Sequence, residues 1–97
     1  MDRRLPLIAA YEASKIDALL VTSLKNIRYL VGFTGSAAQL LVEPHRTTIF
    51  TDPRYDIQVR EQVDCQVSVS SKPARALETA LKRRAIRRLG FEASHAR

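Results

Sequence analysis

The sequence predicts an α/β domain in which helices flank a mixed β-sheet in three layers. Segments with helical spacing of apolar residues alternate with short apolar runs of strand length, and one pair of runs flanks a tight turn. The composition agrees, since 45% of the 97 residues are hydrophobic and only three are Gly and four Pro. That balance argues against a disordered or collagen-like chain. The length suits a single domain spanning residues 1–97.

The first third of the chain predicts two helices around one strand. Pro6 fits the first turn of a helix, where its missing N–H costs nothing. The aliphatic run at 16–22 is too short for an ordinary helix and indicates a central strand covered on both faces. Ser23 is a good N-cap for the second helix, and Gly32 is placed to end it with a positive φ. The inward faces of these helices hold Leu7, Ile8 and Tyr11, and Ile27, Leu30 and Val31.

A β-hairpin and a third helix follow. The runs at 38–43 and 46–51 are rich in strand-forming residues and flank a short turn that contains Pro. Asp52 and Pro53 fit the N-cap and the first residue of a helix. The inner stripe of that helix consists of Tyr55, Val59 and Val63.

The last third predicts a strand, a helix and a final strand. The strands cover 65–69 and 86–91, and Pro73 opens the helix between them with Leu77, Ala80 and Leu81 turned inward. The predicted order is therefore α-β-α-β-β-α-β-α-β.

The formal net charge of +6 is concentrated at one end of the chain. Residues 1–71 carry eight basic and eight acidic side chains, whereas residues 72–97 carry eight basic and two acidic ones. The densest part, 82–88, could neutralise nucleic-acid phosphates. No aromatic residue interleaves with it to stack bases, so a solvated helix end is favoured and no nucleic-acid partner is expected. Contact with acidic groups of a partner domain is a third interpretation.

General catalytic and metal-binding motifs are missing from the sequence. The residues contain no phosphate-binding loop and no HExxH pattern, and His45 and His95 have no second ligand at metal-binding spacing. Cys65 is the single cysteine and opens an apolar strand, which favours a buried thiol in a reducing compartment. Neither a signal peptide nor an apolar run of membrane-spanning length is present. A cytoplasmic location without a membrane partner is the resulting prediction.

Two short stretches are more specific. Residues 26–37 read Asn-Ile-Arg-Tyr-Leu-Val-Gly-Phe-Thr-Gly-Ser-Ala, and residues 50–55 read Phe-Thr-Asp-Pro-Arg-Tyr. Together and in this order they resemble the N-terminal domain of the Xaa-Pro aminopeptidase, prolidase and creatinase family, over roughly residues 3–93. The residues that carry the motifs are Asn26, Tyr29, Gly32, Phe33, Gly35, Asp52 and Tyr55.

The resemblance implies a two-domain metallopeptidase. In this family a C-terminal domain of the pita-bread fold holds two divalent metals, often manganese, through two Asp, one His and two Glu. It cleaves the bond between a first residue and a following proline. The N-terminal domain has a ribonuclease-H-like mixed sheet, supports assembly with a second subunit and closes one side of the substrate cleft.

By this resemblance the chain looks like an incomplete N-terminal domain without its catalytic domain. No residue matches the five metal ligands, so no catalytic residue, metal ligand or cofactor is assigned within the chain and the chain alone is predicted to be inactive. The expected partners are its own C-terminal catalytic domain, a second subunit and, in the parent enzyme, a proline-containing peptide.

Arg54 is the best candidate for substrate contact, and Phe33 is a weaker one in the loop expected near the cleft. An arginine at this position of the family motif can reach the peptide, and a guanidinium suits carbonyl and carboxylate oxygens. A salt bridge from Arg54 to Asp52 or Asp56 is the alternative, and both can hold together. Pro53 stands where the family commonly has glycine, which raises the possibility that Arg54 points elsewhere.

Two other classes of function stay open at this point. One is a self-standing binding or assembly module, and the other is a nucleic-acid-binding domain that uses residues 82–88. Within the family the sequence does not separate aminopeptidase from dipeptidase activity, and the second motif makes creatinase activity the least favoured. The oligomeric state is open as well.

Overall fold

The structure, a computed structural model, describes residues 17–92. The helix predicted after Pro6 lies outside the described residues. The described strands are β1 (Ala18–Val21), β2 (Gln39–Glu43), β3 (Arg46–Thr51), β4 (Gln66–Val69) and β5 (Leu89–Glu92). The helices are α1 (Leu24–Val31), α2 (Asp56–Gln62) and α3 (Pro73–Arg83), and a 3-10 turn at Pro53–Tyr55 leads into α2.

The five strands form one mixed sheet in the order β4-β3-β2-β1-β5. The central strands β1, β2 and β3 pair antiparallel, and the outer strands β5 and β4 add in parallel to β1 and β3. The predicted α/β class with a mixed sheet is therefore confirmed. Strand β4 follows its parallel partner β3 through the crossover helix α2, whereas β5 follows β4 through α3 and crosses the sheet to pair with β1.

The sheet separates two hydrophobic clusters. One cluster joins α1 and α2 to the first face and contains Phe33 and the buried helix residues Ile27, Val31 and Val59. The other joins α3 to the opposite face through Leu77 and Phe50. Side chains alternate along β3, so that Ile49 enters the first cluster and Phe50 the second. The described helices therefore bury the apolar stripes that the sequence predicts, α1 and α2 against one face of the sheet and α3 against the other.

The ends of α1 form as the sequence predicts. The Ser23 hydroxyl accepts a hydrogen bond from the backbone N–H of Asn26, and Gly32 closes the helix at φ 85°. The Gly32 N–H donates to the Arg28 carbonyl at 2.9 Å. These contacts satisfy backbone groups that a helix end leaves without partners.

The C-terminal end of α3 has a conformation that the sequence does not predict. Ala85 has φ 52° and donates its N–H to the Lys82 carbonyl, while the Ile86 N–H donates to Leu81. These two bonds form a Schellman motif, and Ile86 and Leu81 both pack against the second cluster. Glycine usually occupies the left-handed position of that motif. The motif turns the chain out of α3, so β5 begins at Leu89 and the strand predicted over 86–91 starts three residues too early.

The start of β1 is tied to the segment before β5. The Asp17 carboxylate accepts backbone N–H bonds from Arg87 and Arg88 at 2.9 and 3.1 Å, and the Asp17 N–H donates to the Arg88 carbonyl at 2.7 Å. These backbone donors, first that of Arg87, lower the pKa of the Asp17 carboxyl below its usual value. The contacts extend the β1–β5 pairing by one residue and fix the last strand beside the first.

Replacing Ala85 by glycine should stabilise the domain by about 0.5–1 kcal/mol, because a glycine adopts positive φ without the clash of a Cβ atom. Thermal unfolding monitored by circular dichroism measures the change.

The matched control is Ala74→Gly, since Ala74 is exposed and lies in the ordinary right-handed first turn of α3. That variant should lose about 0.5–1 kcal/mol. Equal destabilisation by both substitutions would contradict the assigned left-handed conformation.

Candidate functional site

The two sequence motifs meet at one end of the sheet. The glycine loop, residues 32–36, leaves α1 and leads to β2, while the second motif spans the end of β3 and the start of α2. The Thr51 hydroxyl donates to the Ala37 carbonyl at 2.6 Å and joins the two segments where they leave the sheet.

An aromatic pair forms the centre of this junction. Phe33 is 1% exposed, and its ring meets that of Tyr55 edge to face, with the centroids 5.6 Å apart at 90°. The Phe33 ring also folds over Gly35, where a Cβ atom would lie 2.2 Å from Phe33 Cζ. Gly35 is therefore required by close contact, whereas Gly32 is required by its positive φ.

The hydroxyl of Tyr55 holds the far end of the glycine loop. It accepts the Ser36 backbone N–H at 3.3 Å and is also hydrogen-bonded to the Ser36 hydroxyl. The Ser36 hydroxyl, followed by the Ser36 N–H, lowers the pKa of Tyr55 below its usual value, with a smaller contribution from the Arg54 charge. Tyr55 thus packs its ring on the core and anchors the loop with its oxygen.

Two glutamines on α2 bind the middle of the loop. The Gln62 side chain accepts the Thr34 N–H at 2.9 Å through Oε1 and donates to Thr34 Oγ1 at 2.9 Å through Nε2. Gln58 Nε2 donates to the same hydroxyl at 3.0 Å. Sequence reasoning missed both glutamines. The available signal was their spacing, because Gln58 and Gln62 share a helix face with Tyr55 at i+3 and i+7.

Asp52 and Arg54 form the charged edge of the junction. Asp52 Oδ1 accepts the Arg54 backbone N–H at 3.0 Å, as predicted for an N-cap. The same carboxylate binds the Arg54 guanidinium at two points, with Nε 3.1 Å from Oδ1 and Nη2 2.8 Å from Oδ2. These hydrogen bonds lower the pKa of Asp52 and raise that of Arg54. Arg54 also lies 5.2 Å from the centroid of the Tyr55 ring.

The predicted site residues therefore separate into two groups. Arg54 keeps 69% of its side chain exposed and is accessible to a ligand, and its predicted salt bridge is formed with Asp52. Asp56, the other candidate partner, pairs with Arg60 at 2.7 Å instead. Phe33 is buried, and its visible role is to pack the loop against the core. Substrate contact by Arg54 and Phe33 stays a prediction.

The other motif residues surround this centre. Asn26 belongs to the first turns of α1 and donates its N–H to the Ser23 cap, while Tyr29 is 61% exposed on the same helix. Within residues 17–92, no three His, Cys, Asp or Glu side chains converge as metal ligands would. This part of the chain therefore does not fit a dinuclear metal site. No helix within the same residues is long and apolar enough to span a membrane.

The fold and this motif junction have clear relatives among known proteins. The N-terminal domain of the cytoplasmic peptidase PepQ from Mycobacterium tuberculosis H37Rv is 38% identical, with a TM-score of 0.86 over 93% of this chain and 72% of that one. The X-Pro aminopeptidase from Thermotoga maritima MSB8 is 27% identical, with a TM-score of 0.85 over 95% of this chain and 27% of that one. The uncharacterized peptidase YqhT from Bacillus subtilis (strain 168) is 37% identical over 79 residues, or 79% of this chain.

These similarities define a class of α/β domain found at the N-terminus of peptidases. The Creatinase/Prolidase N-terminal domain family matches residues 3–97, and the chain belongs to that family. The family resemblance drawn from the two motifs is thereby confirmed. The chain spans 22% of the length of the curated relative YqhT and 27% of the Thermotoga enzyme.

Gly35→Ala should destabilise the domain by about 1–3 kcal/mol, because the new methyl group must displace the buried Phe33 ring. Chemical denaturation measures the free energy of unfolding. In a Phe33→Leu background the same substitution should cost clearly less, since the clashing ring atoms are gone.

Gly32→Ala provides the control for this cycle. Its cost of about 1–2 kcal/mol arises from the backbone at positive φ, so Phe33→Leu should leave it unchanged. A Gly35→Ala cost that is insensitive to Phe33→Leu would contradict the close contact as its cause.

Proposed function

We propose that this chain is the non-catalytic N-terminal domain of a cytoplasmic Xaa-Pro peptidase, and that it forms one wall of the substrate cleft and supports subunit assembly. The observation that carries the proposal is the family match over residues 3–97 together with the packing of both family motifs into one junction. The printed name of the Thermotoga relative, an X-Pro aminopeptidase, supports the reaction class, and that of PepQ supports a cytoplasmic location.

The peptidase chemistry is assigned to a C-terminal domain that holds two divalent metals, proposed to be manganese. Such a pair would activate a water molecule and stabilise the charge of the tetrahedral intermediate. The parent would hydrolyse the bond between an N-terminal residue and proline. No step of this reaction is assigned to residues of the present chain.

The contribution of this domain is to hold a cation at the edge of the cleft. Asp52 engages Nε and one N–H of Nη2, so the guanidinium of Arg54 retains N–H groups for a peptide carbonyl or carboxylate. The pairing with Asp52 and the contact with Tyr55 orient the guanidinium before a substrate arrives. Ile57 lies one turn further along and is 75% exposed, so it offers apolar surface beside the cation.

The first test concerns which domain carries the peptidase activity. The chain of 97 residues, incubated with a Xaa-Pro peptide and Mn²⁺, should release no free amino acid in a chromatographic assay. The gene beyond the codon for Arg97 should encode two Asp, one His and two Glu that match the family's metal ligands. Measurable turnover by the chain alone, or a stop codon after Arg97, would refute the proposal, and the stop codon would favour a self-standing binding module.

The second test concerns Arg54 in the complete enzyme. Arg54→Ala should raise the Michaelis constant for peptides longer than a dipeptide about tenfold or more, the loss expected for charged hydrogen bonds, and leave the metal content unchanged. Steady-state kinetics and metal analysis give the two readouts.

Arg60→Ala is the matched control, because Arg60 is also an exposed arginine of this region that is paired with an aspartate, Asp56. It should leave the Michaelis constants unchanged. Equal constants for the parent and the Arg54→Ala enzyme would remove Arg54 from the substrate site.

A further inference from the structure

A groove on the sheet face opposite the glycine loop carries a cluster of arginines. It lies between α3 and the strands β3 and β4 and has a volume of about 620 Å³. Arg46, Arg83 and Arg84 line it, and among residues 17–92 no acidic side chain does. We call it the arginine groove. It goes beyond the proposed function, since it is separate from the motif junction and from Arg54.

A buried carboxylate holds two of these arginines in place. Glu43 Oε1 lies 2.7 Å from Arg84 Nη1 and 3.2 Å from Arg46 Nε. The Glu43 and Arg84 side chains are only 11% and 20% exposed, so the pair is largely removed from water. Arg84 Nη1 also donates to the Thr48 hydroxyl at 3.4 Å. Arginines fixed in this way lose little conformational freedom when a ligand binds.

The arginines retain donors for a ligand. Arg84 uses Nη1 for both of its hydrogen bonds, and its Nε and Nη2 groups make none to the residues that the structure describes. Arg83 is exposed in the last turn of α3 and has no ion pair within 17–92. The interpretation of 82–88 as a solvated helix end is therefore wrong for Arg84, whose side chain is largely buried and paired with Glu43.

The charge and the walls of the groove indicate the ligand class. Three arginines and Glu43 leave two positive charges in excess, which a dianion would balance. Ser68 adds a hydroxyl group, while the partly buried Ala76 and Ala80 supply apolar wall. The volume lies within the range of small-molecule sites, about 300–1,000 Å³. Phe50 is 2% exposed and is unavailable for stacking on a base, which disfavours nucleic acid.

We propose that the arginine groove binds a small organic dianion, either a phosphate monoester or a dicarboxylate. Its oxyanion group lies among Arg46, Arg83 and Arg84, and its body lies against the wall formed by Ala76 and Ala80. Both ligand sources share the chemistry that a guanidinium recognises, namely paired oxygens with negative charge.

Titration of the isotope-labelled chain by nuclear magnetic resonance tests the proposal. The probes are inorganic phosphate and malonate, with acetate as the monoanion, all at equal ionic strength. At least one dianion should saturate the amide shifts of Thr48, Gln66 and Thr79 with a dissociation constant of about 1 mM or below. Acetate should bind about tenfold more weakly. Tighter binding of phosphate would indicate a phosphate monoester as the ligand, and tighter binding of malonate would indicate a dicarboxylate.

Substitutions then separate a built site from general surface charge. Arg83→Gln should weaken dianion binding about threefold to tenfold without disturbing the core, since Arg83 is exposed. Arg60→Gln removes an equal charge on the other sheet face and should leave binding unchanged. Arg84→Lys keeps the charge beside Glu43 but lacks the planar fork, so it should weaken binding about tenfold while thermal unfolding verifies the fold.

Three outcomes would overturn the proposal. The first is that the changes in amide chemical shift do not saturate, or that they are equally large at Thr34 and Gln62 in the motif junction. The second is equal loss of binding in Arg83→Gln and Arg60→Gln. The third is that a short polyglutamate peptide binds saturably while neither phosphate nor malonate binds. That result would assign the groove to an acidic polypeptide.

Discussion

Strand β3 must supply both hydrophobic clusters at once, and the position of the motif junction depends on that requirement. Neighbouring residues Ile49 and Phe50 enter opposite clusters, so a shift of one residue in the pairing with β2 would exchange their faces. The register of Leu40 with Ile49 is therefore strongly determined. A fixed register brings the end of β3 to the start of β2, where the Thr51 hydroxyl reaches the Ala37 carbonyl. The glycine loop ends at the start of β2 and the turn into α2 begins at the end of β3, so the loop and the helix meet.

The two faces of the sheet are stabilised by different kinds of interaction. On the first face the glycine loop is held by an aromatic edge contact and by neutral hydrogen bonds that its N–H groups donate to Gln62 and Tyr55. These bonds hold the backbone of Thr34 and Ser36, two exposed residues of the loop, against α2 and Tyr55. On the second face the enclosed charge of Glu43 needs a counter-charge, and Arg84 supplies it from the end of α3. Breaking that pair from either side would leave a partly buried charge, so the ion pair fixes how α3 ends against the sheet.

Local signals in the sequence predicted the elements well, and contacts between distant residues explain what they missed. Ser23, Gly32 and Asp52 act within a few residues of their own positions, so their capping roles follow from residue type alone. The Gln62 contact with Thr34 spans 28 residues and the Arg84 contact with Glu43 spans 41, and both require the folded topology. Ala85 illustrates a third case, because its left-handed conformation is set by packing of the turn after α3 and opposes the preference of its residue type.

The proline in the second motif is accommodated by the carboxylate that precedes it. Pro53 begins a 3-10 turn, a position that needs no N–H donor, and Asp52 in extended conformation caps the turn by accepting the Arg54 N–H. The same carboxylate then binds the Arg54 side chain, so one residue sets both the backbone and the guanidinium of its neighbour. A glycine at position 53 would leave the backbone freer, whereas proline restricts φ in the residue directly before Arg54. Because Asp52 fixes Arg54 through three hydrogen bonds, the direction of the guanidinium in this chain is determined by that carboxylate as well as by the turn.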